Sequence, residues 1–152
     1  MTNGYETVQS FLSALGKKSA IELNLDRNGV CLLEDDRGFV WQLEVLGDEV
    51  LISCEMMKIS DQDGNSAISL LDFNLNLNKT KGAWFSRNAS SGMVLLCICR
   101  PIIYLDEYSF ESLLLGFMKS SADIKEELEF QLSKKSGAKE KEVSRPNFAS
   151  FV

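Results

Sequence analysis

The chain has 152 residues, 45% hydrophobic and 25% charged, which suits one folded domain able to bury roughly two-thirds of its unfolded surface. It carries a net charge of −6 and no histidine, so the commonest general base is missing, as are the Ser-His and Cys-His nucleophile pairs. The segment from Lys134 holds five of the 16 basic and two of the 22 acidic residues, leaving 11 against 20, or −9, on the body; such a surface repels phosphate backbones and excludes nucleic acid as a natural partner.

Met1 to Glu6 has neither a basic region nor an apolar core, so no secretory signal is expected there. No apolar run approaches the roughly 20 residues of a spanning helix, and a cytoplasmic protein without membrane contact is expected. Tyr5, Val8, Phe11, Leu12 and Leu15 fall at helical spacing, and Gly16 reads as the stop of a short first helix. Ile21, Leu23 and Leu25 then alternate with polar residues as a strand would. Asp26-Arg27-Asn28-Gly29 is a turn signal, because Asp and Asn bond their own backbone and Gly takes positive φ at no steric cost.

Val30 to Leu33 is the next strand, Asp35-Asp36-Arg37-Gly38 the next reversal, and residues 39 to 46 the strand after it, with Phe39, Trp41, Leu43 and Val45 on one face. Gly47-Asp48-Glu49 is a further turn, and Val50 to Met57 continues as strand. The loop Ser60 to Ser66 contains an Asp-x-Asp-Gly-Asn core similar to a calcium loop. It lacks the remaining ligand series, the closing Glu and the flanking helices that an EF-hand requires.

A second helix is predicted over residues 66 to 78 with two apolar stripes: Ile68, Leu71 and Leu75, and Leu70, Phe73 and Leu77. One stripe can pack on the sheet. The other, read as Leu70, Phe73 and Leu77, is expected to form a dimer interface; the alternative is a helix sunk more deeply in its own core. Residues 82 to 86 and 92 to 100 read as a strand pair, the latter apolar on both faces and therefore central, ended by Pro101, which cannot donate to a ladder. Asp106 is an N-cap signal for a final helix to about Lys134, with Leu105 and Phe110 placed for a hydrophobic staple.

The segments from Ile21 to Met57 read as four extended stretches, or as three with a bent last one, and the predicted fold is α+β, an antiparallel twisted sheet with three helices in the order α-β-β-β-α-β-β-α. Residues 1–133 form a single domain and 134–152 a flexible C-terminal tail rich in Ser, Lys, Gly and Glu. Within that tail Phe148, Phe151 and Val152 offer either a short docking peptide or an unstructured end.

Four cysteines, Cys31, Cys54, Cys97 and Cys99, lie in strand-like runs without zinc spacing. Cys97 and Cys99 would share a strand face, so a redox or metal role stands beside the plainer reading of small buried hydrophobes. The carboxylate pairs Asp35-Asp36 and Glu126-Glu127 sit in a turn and on a helix face, and no phosphate-binding glycine loop is present. No catalytic residue, cofactor or metal is expected, and a binding protein is.

Three segments carry a family resemblance: Leu25-Asp26-Arg27-Asn28-Gly29-Val30-Cys31-Leu32-Leu33-Glu34-Asp35; Phe73-Asn74-Leu75-Asn76-Leu77 through Lys79-Thr80-Lys81-Gly82-Ala83; and Leu105-Asp106 with Phe110, Leu113, Leu114 and Phe117. In order and spacing the chain resembles the class I chaperones of type III secretion, the family of the Tir chaperone. The resemblance implies a homodimer that captures, without ATP, an extended N-terminal segment of a secreted effector and keeps it soluble and export-competent. It implies a dimer contact at the second helix and the strand pair, here Leu70, Phe73, Leu77 and Trp84. It also implies effector pockets between the first helix and the sheet, here Phe11, Leu23, Leu25, Leu32 and Val40, with strand addition at a sheet edge. A regulatory binding module of the same fold, an anti-activator or sensory regulator, is the alternative.

Overall fold

The computed structural model describes residues 3–143, with side-chain surroundings through residue 135. Its elements are α1 (Gly4–Ser19), β1 (Val30–Glu34), β2 (Val40–Leu46), β3 (Glu49–Lys58), α2 (Gly64–Asn74), a single turn α3 (Leu77–Thr80), β4 (Trp84–Arg87), β5 (Met93–Pro101) and α4 (Glu107–Val143), with a 3-10 turn at Ile102–Tyr104. All neighbouring strands are antiparallel, in the order β1-β2-β3-β5-β4. The α+β reading holds. β5 lies between β3 and β4, as its two apolar faces required.

Three local expectations change, each for a reason visible in the hydrogen bonds. Gly16 does not stop α1, which runs to Ser19 and turns at Ala20 in the left-handed region. Gly16 instead lets the chain fold back, since a Cβ there would stand 2.6 Å from the Ile21 carbonyl oxygen. Residues 21 to 25 are extended but join no strand. Leu23 and Leu25 bury their side chains, while Gln9 of α1 accepts from the Leu25 N–H at 2.8 Å and donates to the Leu23 carbonyl at 3.3 Å. The Tyr5 hydroxyl donates to the Leu25 carbonyl at 3.0 Å. The alternation was real, but a helix side chain supplies the partners that a neighbouring strand would have supplied.

The helix predicted over 66 to 78 breaks after Asn74. The Asn74 amide pairs with both backbone groups of Phe85, accepting from its N–H at 2.6 Å and donating to its carbonyl at 3.1 Å, and Asn76 caps the short α3 turn through Lys79 N–H at 3.3 Å. Asparagine side chains that bond backbone compete with helix continuation. The final helix, by contrast, starts as expected: Asp106 accepts from the Ser109 N–H at 2.7 Å and Ser109 returns the bond to the Asp106 N–H at 2.9 Å. It continues through Val143, beyond the expected helix end at about Lys134. Phe148, Phe151 and Val152 lie outside the described residues.

Turn chemistry sets the register. Asp26 accepts from the N–H groups of Asn28 and Val30 at 2.8 and 2.9 Å, with Gly29 at φ +77°. Asp35 accepts from the N–H groups of Arg37 and Phe39 and from Trp41 Nε1 at 2.9, 3.1 and 3.1 Å, which ties the second turn to the largest core side chain. With that register fixed, Trp41, Leu43, Val50, Ile52, Val94 and Leu96 all face one side, where they meet Val8 and Leu12 of α1 and Phe110, Leu114 and Leu128 of α4. Phe11 stacks against Phe110 at 5.3 Å, and Trp41 meets Phe117 edge-on at 5.4 Å.

Candidate functional site

With the helices on one side of the sheet, two surfaces that carry exposed apolar side chains stand out. The first is a ridge along α2 and α3. Ile68, Leu71, Leu75 and Leu77 are 57%, 67%, 86% and 65% exposed, and Trp84 on the edge strand β4 is partly exposed nearby in sequence. Helical spacing aligns Ile68, Leu71 and Leu75 on one stripe, and a depression of about 400 Å³ opens between Leu75 and Leu77 beside Asp72, Asn76 and Asn78. Asp72, within the ridge, pairs with Lys135 of α4 at 3.2 Å.

The four residues predicted for a dimer contact divide here. Leu70 and Phe73 are buried in the chain's own core, where Phe73 meets Phe85 edge-on at 5.4 Å, whereas Leu77 and Trp84 reach the surface. The outward stripe is therefore the one with Ile68, Leu71 and Leu75. Both stripes were legible in the sequence. The choice between them depends on Phe85, which the Asn74 bonds hold against the inward side of α2.

The second surface is the sheet face opposite the helices. Strand pairing sets Leu32 beside Gln42 and Gln42 beside Ser53, then Ser53 beside Cys97 and Cys97 beside Trp84, so these side chains line one continuous face. Leu32 is 67% exposed, and Val40 is half-buried on the same face opposite Glu34. The remaining predicted pocket residues lie elsewhere: Phe11, Leu23 and Leu25 are buried at α1. The structure thus brings Leu32 and Val40 to one surface and sinks Phe11, Leu23 and Leu25 into the core beneath α1. Ile103, Tyr104 and Tyr108, which sequence reasoning passed over, are also strongly exposed, at the entry to α4.

The titratable groups act as structural parts. Burial pushes the Cys54 thiol up to about 12, and burial likewise raises Cys97. Cys99 is raised by burial and then by the negative charge of Glu49 beside it. Thiols held in this direction are poor nucleophiles and poor metal ligands at neutral pH. Burial opposes ionisation of Asp35, but the bonds from Arg37, Phe39 and Trp41 outweigh it and leave the carboxyl below its ordinary value. Glu127 is lowered by its bonds with Lys79 and Gln131, while Asp61 pairs with Arg87 and Asp63 caps α2. Among the described residues, no three His, Cys, Asp or Glu side chains gather in a way that could hold a metal ion. None of the described helices is long and apolar enough to cross a membrane.

The protomer is thus a five-stranded antiparallel sheet with helices on one face and apolar side chains left exposed. Residues 10–125 match the Tir chaperone protein (CesT) family. The chain belongs to that family. The three sequence segments implied the same membership. Among curated proteins none matches this sequence.

Solved structures of similar fold include the ExsC–ExsE complex, with 18% identity, 82% of this chain and 95% of that chain covered, and a TM-score of 0.68. The HopA1–SchA chaperone–effector complex shows 17% identity, 80% and 95% coverage, and a TM-score of 0.65. The ExoT–SpcS complex from Pseudomonas aeruginosa shows 18% identity, 81% and 98% coverage, and a TM-score of 0.56. At these identities the likeness is one of fold. It spans nearly the full length of those chains.

Proposed function

We propose that this family member is a non-enzymatic effector chaperone that works as a homodimer. Two copies join through the α2–α3 ridge, and the dimer holds the N-terminal segment of a type III secreted effector extended, soluble and ready for export. The ridge is the observation that carries the dimer. Four aliphatic side chains more than half exposed, close together in sequence along α2 and α3, form a patch that a monomer would leave in water. A two-fold axis would set each ridge against its own copy.

The effector contact draws on the other surface. Leu32 and Val40 offer apolar footholds on the open sheet face, and β1 is an edge strand to which an extended segment can add. The neighbouring structures that hold effectors, HopA1–SchA among them, support the partner class. An acidic chain favours a basic or amphipathic segment. The reading places the protein in the cytoplasm, where effectors are loaded before export.

Light scattering after size exclusion tests it, on the protein alone and coexpressed with the N-terminal segment of an effector encoded beside it. A particle of twice the 17.0 kDa chain mass that gains one effector segment supports the reading. A monomer that takes up no segment points to the regulatory alternative.

A further inference from the structure

In an acidic chain, an unpaired cluster of cations calls for a reason. Between α3, the end of β5 and the middle of α4 lies an open-sided groove of about 460 Å³, within the roughly 300–1,000 Å³ of small ligand sites. Ile98, Leu113 and Phe117 contribute apolar side chains to it, and Lys81, Arg100 and Lys119 contribute positive charge. None of the three cations makes an ion pair among the described residues, although five other Lys and Arg side chains do. Arg100 gives one N–H to the neighbouring Cys99 carbonyl at 2.8 Å, and Asp123 is the single carboxylate in the lining.

A second observation points the same way. Thr80 also lines the groove, is 1% exposed, and its Oγ1 has no hydrogen-bond partner among the described residues. A buried hydroxyl left unbonded is costly, and a bound acceptor relieves it. Apolar lining, a surplus of positive charge and an unmet donor together describe a mixed site. A bare inorganic anion would leave the apolar lining unused, and a polyanion would be repelled by the chain's overall charge.

We propose that this groove is a subsite for an acidic-apolar peptide segment. An aliphatic side chain rests on Ile98, Leu113 and Phe117, and an adjacent Asp or Glu carboxylate is held by Lys81, Arg100 and Lys119. The inference rests on the chaperone reading only for the identity of the polypeptide, an effector segment. It adds a sequence requirement, a carboxylate next to an aliphatic residue, at a place distinct from the open sheet face.

The test is a titration of the full-length, nitrogen-15-labelled protein with the capped tripeptides Leu-Glu-Leu and Leu-Gln-Leu, and with inorganic phosphate, at low salt. Shifts should centre on Thr80, Lys81, Arg100, Leu113 and Phe117. The glutamate peptide should bind roughly five- to tenfold tighter than the glutamine one, the effect of two or three partly exposed ion pairs. In K81Q/K119Q, which alters two exposed side chains and spares the core, the preference should fall to about twofold or less.

Shifts centred elsewhere, equal binding of the two peptides, or phosphate alone matching the glutamate peptide would each overturn the proposal. Coexpression separates it from the chaperone reading. Effector uptake unchanged in K81Q/K119Q, with no peptide shifts, removes the groove and leaves the chaperone. Peptide shifts without effector uptake do the reverse.

Discussion

Replacing Leu71 by Asp tests the dimer contact with the least collateral damage. The side chain is 67% exposed in the protomer, so an aspartate there stays solvated when the chain folds alone, and the protomer should lose about 0.5 kcal/mol or less. In a two-fold dimer the same site is covered. Full burial of a leucine is worth about 1.5–3 kcal/mol, so covering the exposed two-thirds contributes about 1–2 kcal/mol per protomer and twice that per symmetric dimer. Losing about 2–4 kcal/mol weakens dimerisation roughly 30- to 700-fold, before any cost of desolvating the carboxylate.

Light scattering across a hundredfold dilution series reads the shift to monomer, and circular dichroism reads whether the protomer stays folded. Phe73→Glu is the control. Phe73 is buried against Phe85, so that variant should fail in folding and not merely in association. An L71D protein that dimerises as tightly as wild type would refute the ridge as interface, and an unfolded one would refute its assignment as outward-facing.

Other outcomes follow from the core and turns. Asp35→Asn should cost about 1–3 kcal/mol in urea unfolding, because the carboxylate bonds to Trp41, Phe39 and Arg37 are weakened or lost. Asp35 is held below its ordinary value in the fold, so its contribution is present above the ordinary carboxylate pKa of about 3.9 and lost as pH falls through the lower folded one. Wild type should therefore lose its advantage over D35N on acidification below about pH 4; a constant difference down to pH 2 would contradict this. Gly16→Ala, normally worth about 0.5–1 kcal/mol in a helix, should instead destabilise, since the new Cβ meets the Ile21 carbonyl oxygen at 2.6 Å; a raised melting temperature would sink the close-approach argument. With Ellman's reagent at pH 8, Cys54 should stay unreactive in the folded protein and Cys99, half-exposed, should react first; rapid native labelling of Cys54 would mean that its pocket is open.

Local signals were reliable where one residue's chemistry decided the outcome. Asp26 and Asp35 with the glycines that follow them, Asp106 at the last helix, and the alternation through Trp41 and Leu43 all mean in the fold what they mean in the sequence. They fix the turns, the register and hence the buried sheet face, because each acts within a few residues of itself. The family likeness rests on the same local signals in sequence order, and it was legible for that reason.

Tertiary structure decided everything that required a partner far along the chain. Leu23 and Leu25 alternate like a strand, yet Gln9 and Tyr5 of α1 bond their backbone and keep the segment out of the sheet. Asn74 reads as one more helical residue until Phe85 offers it an N–H and a carbonyl, and only then is α2 cut and its inward stripe chosen. Periodicity shows that a helix has two apolar faces. Which face meets water depends on where the rest of the chain has spent its own apolar surface, and that is set by packing across the whole core.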